Sequence, residues 1–326
     1  MAVAGVGGSV VPVAAGAERL PNLAGVADGS TFMAWKGVDG DQRIWWNRLV
    51  NGTGWTGPQP VDGAATSAGV ALAGPWGGPL FMAWKGVLGD ERIWWNSFDG
   101  GAWSAPQQVP GAASSVGPAL TDYAGVFMAW KGVTGDQQIW WNSYYGGWTA
   151  PQAVPGASSG FGPALAVDRS GGPYGVPCMA WKGVDGDQRI WWNSYQGGST
   201  GSNSWTGPQP VDGAATSAGV ALAGQPGGGL LMAWKGVDGD QRIWWSRLYP
   251  SSTVWTPPQP VPGARSGVGP ALAVYGGSTV MTWKGADGDQ RIWWNRFDPG
   301  GSVWSDPQPI LGASTGFRPA LATVGA

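Results

Sequence analysis

Histidine is absent from this 326-residue chain, cysteine occurs once, at Cys178, and glutamate twice, at Glu18 and Glu91. Without histidine there is no imidazole general base, no Ser-His-Asp triad and no histidine-containing metal site. A single cysteine excludes an internal disulfide. Cys178 takes a position that other repeats fill with Phe32, Leu231 or Val280, so it reads as a small buried hydrophobe. Charge is also scarce. Asp, Glu, Lys and Arg make up 12% of the residues, about half the usual share, and the formal net charge is −2. No basic tract offers the footprint that phosphates need, and none offers a basic cluster for a membrane surface. No apolar run approaches the ~18–20 residues of a spanning helix. Nucleic acid and membrane insertion are therefore not expected. Residues 1–17 are uncharged and rich in Ala, Val and Gly but lack a basic n-region. Their Val11-Pro12-Val13 and Gly16-Ala17 repeat a later Pro-Val-x-Gly-Ala pattern, so they are expected to belong to the fold, with no export signal.

What is abundant is Gly (59), Pro (27) and Trp (25). A disordered chain can be rich in the first two but not in the third. The tryptophans lie in a repeat, the feature to seek before any local structure. Trp-Lys-Gly recurs at Trp35, Trp84, Trp130, Trp181, Trp234 and Trp283, at spacings of 46 to 53 residues. A Gly-Asp turn and an Ile-Trp-Trp run follow each, ending in Trp46, Trp95, Trp141, Trp192, Trp245 and Trp294. A fourth tryptophan closes each unit, at Trp55, Trp103, Trp148, Trp205, Trp255 and Trp304. Only Trp76 lies outside the scheme.

Each unit reads as four strands, for example Gly69–Ala73, Phe32–Lys36, Arg43–Leu49 and Trp55–Val61, separated by Gly, Pro and Asp turns. Four short strands with turns need about fifty residues, the size of a propeller blade. Ile-Trp-Trp puts large apolar groups on both faces of one strand. That suits a sheet buried between two neighbours and does not suit one with a wet face. The end units look like the middle ones, which favours a closed ring over an open stack with caps. The expectation is an all-β fold, a propeller of six four-stranded blades spanning 1–326 as one domain. The d–a segment, however, occurs seven times, first at Val10–Val26 and last at Trp304–Thr323. The surplus copy could pair the two ends of the chain, add edge strands, or mark a seventh or strand-exchanged blade.

The recurring polar residues are Lys36, Asp41, Arg43 and Asn47 and their equivalents. The lysines are Lys85, Lys131, Lys182, Lys235 and Lys284, and the aspartates Asp90, Asp136, Asp187, Asp240 and Asp289. The arginines are Arg92, Arg189, Arg242 and Arg291, with Gln138 in the third unit. The asparagines are Asn96, Asn142, Asn193 and Asn295, with Ser246 in the fifth. An Asp in such a turn accepts backbone N–H bonds, and that role stands beside ligand contact. The Lys and Arg charges equally suit an ion-pair network at a blade edge or ligand contact. Most tryptophans are expected in the core, but an indole face beside Asp, Asn and Arg also holds a sugar ring and its hydroxyls, with Trp55 and its equivalents foremost. Asp39-Gly40-Asp41 is a poor calcium loop, because Leu88 and Thr134 replace the first Asp in two units and a hard cation needs six or more oxygens. No metal or cofactor is expected.

The order Trp-x-x-Pro-Gln-Pro-Val-x-Gly-Ala, Pro/Val-Ala-Leu-Ala, Gly-Asp-x-x-Ile-Trp-Trp-Asn and Phe-Asp-Gly-Gly-x-Trp resembles the sialidase-like β-propeller lectins of the PLL type, and more distantly the tachylectin-type propellers. The resemblance covers essentially the whole chain, unit by unit. It implies a soluble, often oligomeric lectin with shallow sugar pockets between blades and no catalysis. That family usually has seven blades, and Met-Ala-Trp-Lys-Gly is not one of its sugar-contact motifs, so fucose is not carried over. The leading expectation is a multivalent carbohydrate-binding lectin with near-equivalent sites, one per blade or junction. Such sites are each weak and gain by multivalency. The alternatives are a scaffold for protein partners and, last, a glycosidase. One active site needs unique carboxylates in different environments. Here nearly every polar residue recurs in each unit, and residues 57–74 and 207–224 are identical.

Overall fold

The computed structural model describes residues 29–172, 174–197 and 204–324. Among them every regular element is a β-strand, and the strands form six antiparallel sheets. The innermost strands touch one another in a closed circuit: Val70–Ala73, Ala119–Asp122, Ala164–Asp168, Val220–Gly224, Ala271–Tyr275, Ala320–Thr323 and back to the first. This is a six-bladed propeller. No helix among the described residues is long and apolar enough to cross a membrane.

Blade 1 shows how the ring closes. Its second, third and outer strands are Thr31–Lys36, Arg43–Val50 and Gln59–Ala65, but its inner strand is the C-terminal Ala320–Thr323. Met33 faces Leu321 and Ala34 faces Ala320 across that pair. The last copy of the d–a segment is thus the one that joins the ends. The first copy, Val10–Val26, lies outside the described residues. Blades 2 to 6 follow in chain order, each centred on its own Trp-Lys-Gly strand: Leu80–Lys85, Val126–Lys131, Val176–Lys182, Leu230–Lys235 and Ser278–Lys284.

Three of the four strand readings are close to what is observed, and the outer strand is displaced. Trp55 makes only a two-residue pairing with the third strand, and the ladder resumes at Gln59–Ala65. At the break the Thr56 hydroxyl takes the Arg48 backbone N–H at 2.9 Å. Further along the resumed ladder a bulge shifts the register between Arg43 and Trp45. Pro60 sits in this edge strand, where a missing N–H costs no ladder bond.

The core lies between the blades. In the second strand of blade 1, Phe32 and Ala34 pack toward blade 2, and Met33 and Trp35 pack toward blade 6. All six residues of that strand are buried. The Trp-Lys-Gly tryptophans are 1–2% exposed, each contributing about 2–3 kcal/mol or more of burial. Cys178 is buried in the blade 4/5 cluster, and burial pushes its thiol up to about 12, which leaves it inert.

Candidate functional site

The turn between the second and third strands carries the recurrent charges. Gly37 is required there, because a Cβ on it would lie 2.4 Å from the Asp41 carboxylate. That carboxylate accepts the Arg43 backbone N–H at 3.0 Å, the Arg43 Nε–H at 2.9 Å and the Trp45 Nε1–H at 2.9 Å. The guanidinium lies over the Trp45 ring, 4.8 Å from its centroid. Asp90, Asp187, Asp240 and Asp289 repeat the arrangement with Arg92, Arg189, Arg242 and Arg291. In blade 3, Gln138 turns inward onto the Ile139, Val154 and Ala157 carbonyls, and Asp136 keeps its bond from Trp140. The aspartate therefore has the expected turn-capping role, and the arginine and indole are satisfied by it.

The lysine belongs to the same turn. Lys36 is 5% exposed, and its ammonium donates to the Asp41 and Gly37 carbonyl oxygens and not to the Asp41 carboxylate. Lys85, Lys131 and Lys235 donate to Ser67, Ser115 and Ser217 in the segment entering their own blade. Lys182 and Lys284 donate to turn carbonyls. Neighbouring turns are tied round the ring by one residue each: Gln42 to Leu88, Glu91 to Thr134, Gln137 to Asp185, Gln188 to Asp238, Gln241 to Asp287 and Gln290 to Asp39. The first Asp of Asp-Gly-Asp is an acceptor for this tie, and no cluster of potential metal ligands occurs among the described residues.

The paired carboxylates give a pH expectation. The Arg43 guanidinium holds the Asp41 carboxyl at about 2, and the same partner in each blade holds Asp90, Asp187 and Asp289 at about 2 and lowers Asp240 as well. A carboxyl lowered in the folded state stabilises above its unfolded value near 3.8 and loses that contribution as pH falls through the folded value. Thermal midpoints should therefore drop progressively between about pH 4 and pH 2. Salt should shrink the drop, since the guanidinium groups are largely exposed. A midpoint flat over that interval would contradict the pairing.

The opposite end of each blade junction is different. Between blades 1 and 2 a cleft of about 200 Å³ is lined by Phe32, Trp46, Arg48, Thr56, Gln59, Phe98, Gly100 and Gly101. Its floor is aromatic: Trp46 and Phe98 are 5.0 Å apart, and Trp103 meets Trp46 edge-on at 6.0 Å. The same edge-on contact recurs at every junction, from Trp95–Trp148 through Trp141–Trp205, Trp192–Trp255 and Trp245–Trp304 to Trp294–Trp55. The six fourth-position Nε1 atoms are buried without a hydrogen-bond partner.

Of the residues singled out from sequence, the structure brings Trp46 to the cleft wall and leaves others in the framework. Trp35 and its five equivalents are core. Trp95, Trp141, Trp192, Trp245 and Trp294 are 3–8% exposed, whereas Trp46 is partly open. Trp55, Trp103 and Trp148 are half-buried and Trp205, Trp255 and Trp304 buried, as interblade wedges. Asn47, Asn96, Asn142, Asn193 and Asn295 are at most 1% exposed. Asn96, Asn142, Asn193 and Asn295 donate to a carbonyl of the segment leading to the outer strand, such as Ser104. The sequence reading passed over Trp45, Arg48, Thr56 and Gln59. Strand alternation is the signal that locates two of them: Asp41, Arg43 and Trp45 share one side, and Arg48 stands two residues beyond Trp46.

No family model and no curated protein matches the chain. Solved structures do. A lectin of Aleuria aurantia, solved as a mutant with Fucα1-6GlcNAc, is 16% identical with a TM-score of 0.65, over 87% of this chain and 93% of that one. AofleA from Arthrobotrys oligospora is 12% identical with a TM-score of 0.60, over 91% of this chain and 90% of that one. A Hadza microbial sialidase, Hz136, is 14% identical with a TM-score of 0.62, over 84% of this chain and 64% of that one. At these identities the likeness is one of fold, the six-bladed propeller that another Aleuria aurantia lectin structure names in its description.

Proposed function

We propose that this chain is a carbohydrate-binding protein whose sugar sites are the clefts at the blade junctions, one per junction at most. The observation that carries the reading is the cleft between blades 1 and 2. It combines an aromatic floor with a hydroxyl from Thr56, an amide from Gln59 and a guanidinium from Arg48. A sugar presents an apolar ring face to the first and hydroxyls to the others. The ingredients recur. A hydroxyl equivalent to Thr56 is supplied by Ser104, Thr149, Thr206, Thr256 and Ser305. The Gln59 amide recurs at Gln107, Gln152, Gln209, Gln259 and Gln308, where each outer strand starts. Structural neighbours with this fold include a lectin solved with a fucosylated disaccharide, which supports a glycan ligand without naming this chain's sugar.

Binding without turnover fits the same cleft. Glycoside hydrolysis uses two carboxyl groups flanking the bond, and no aspartate or glutamate lines this one. A glycan array followed by titration calorimetry tests the reading. Binding to one or more glycans is expected, with a stoichiometry above one per chain. Gln59→Ala, at an exposed position, and Trp46→Ala should each remove one site and leave the others. Absence of glycan binding at high protein concentration would move the assignment to a scaffold for protein partners. Loss of all binding from Gln59→Ala alone would refute independent sites.

A further inference from the structure

The residue after the Trp-Trp-Asn run, Trp-Trp-Ser in blade 5, divides the ring in two. It is Ser97, Ser143 and Ser194 in blades 2 to 4, and Arg247, Arg296 and Arg48 in blades 5, 6 and 1, which are neighbours in the closed ring. These three arginines differ from those of the turns. Arg43, Arg92, Arg189, Arg242 and Arg291 each have an aspartate. Among the described residues, Arg48, Arg247 and Arg296 have no carboxylate partner and no acceptor for their side chains. Arg247 Nε and both Nε and Nη2 of Arg296 are buried with their hydrogens unclaimed. Two of the facing turns carry an acidic group, each bonded to its own backbone. Asp99 accepts from Gly101 and Ala102, and Asp298 accepts from Gly300.

Aromatic rings lie against two of the three guanidinium groups. Arg296 is over Tyr275 at 5.2 Å and Trp294 at 5.9 Å, and it reaches the turn of blade 1 so closely that a Cβ on Gly52 would be 2.5 Å from its Nη2. Arg247 is over Tyr249 at 5.0 Å, and Arg48 lines the junction cleft itself. A planar fork of donors lacking its acceptor, held against aromatic rings in Arg247 and Arg296, is matched to a carboxylate, which takes two parallel N–H bonds. Burial sharpens the preference at Arg247 and Arg296, because a desolvated donor gains most from a charged acceptor.

We propose that the three arginine-bearing junctions, blade 5 with 6, 6 with 1 and 1 with 2, select sugars that carry a carboxylate, of the uronic or sialic acid type, and that the three serine-bearing junctions do not. This deepens the carbohydrate reading and rests on it.

The test titrates the full chain with methyl β-D-glucuronide, methyl β-D-glucoside and sodium acetate, at low and high salt. The glucuronide should bind about tenfold tighter than the glucoside, at three sites per chain, with the margin narrowing in salt. Arg48→Ser, Arg247→Ser and Arg296→Ser install the residue that blades 2 to 4 already hold, so the fold survives. Each should remove one glucuronide site, and the triple variant should bind the two sugars alike. Equal affinity for both sugars in the native chain would overturn the inference and leave the carbohydrate reading standing. Acetate bound at the arginines without either sugar would overturn the carbohydrate reading and leave only anion capture. Binding of none of the three would refute both.

Discussion

A chain truncated after Thr315 should lose its cooperative unfolding transition. The deletion removes Ala320–Thr323, the strand that completes blade 1 from the far end of the sequence. Leu321 and Val324 are 8% and 1% exposed and contribute roughly 1.5–3 kcal/mol each. Their loss also uncovers Phe32 and Met33, which are at most 1% exposed, and leaves Thr31–Lys36 as a bare edge strand. Together these losses approach the whole of a typical stability of roughly 5–15 kcal/mol. The effect extends beyond blade 1, because every junction is buried on both sides only while the ring is closed. A permuted control separates closure from sequence loss. Gly29 donates to Val324 at 2.7 Å and Val324 donates to Ser30 at 3.0 Å, so the two ends of the described chain lie side by side, and joining residue 326 to residue 1 keeps every residue of the sequence. With new ends at residues 315 and 316, the permuted chain should melt close to the native midpoint. Near-ultraviolet circular dichroism during heating reads both. A truncated chain with an unchanged sharp melt would show that another segment fills the slot.

The repeat made the architecture legible. Six Trp-Lys-Gly strands at blade-length spacing, and an Ile-Trp-Trp run with bulk on both faces, demand sheets buried between neighbours, and that is how Phe32 and Met33 divide between two clusters. The turn role of Asp41 was legible for the same local reason: Gly37, Gly40 and the carboxylate form one tight unit. The site was less so. Composition draws attention to what recurs most, and the most repeated residues are the framework: Lys36 on turn carbonyls, Asn47 fully buried, Trp55 wedged against Trp294. The cleft is made where one blade's third strand meets the next blade's turn, so Arg48 and Gly100 come together across a whole repeat. No local pattern shows that meeting. On the proposed reading, the arginines that break the repeat are what tells one junction from another.

Trp181→Ala should cost about 3–5 kcal/mol, while Trp76→Ala should stay within about 0.5 kcal/mol. Trp181 is 1% exposed, opposite Trp191 in the sheet and packed with Phe127, Trp141 and Tyr195 of the blade 3/4 cluster. Trp76, the one tryptophan outside the repeat, is 78% exposed in a turn. Backbone strands pinned on both sides cannot collapse into the space an indole vacates, so the cavity persists and adds to the lost transfer energy. Trp181→Phe keeps a ring in place and should cost less than the alanine change. Urea unfolding measures all three, and an unchanged slope would show that the closed ring still unfolds as one unit. The comparison also bears on the site. Trp35, the blade 1 equivalent of Trp181, does not line the cleft between blades 1 and 2, so the alanine variant should bind glycans normally at temperatures where it remains folded. A variant with native stability and no binding would return Trp181 to the ligand surface and remove the indole ring from the core that this fold requires.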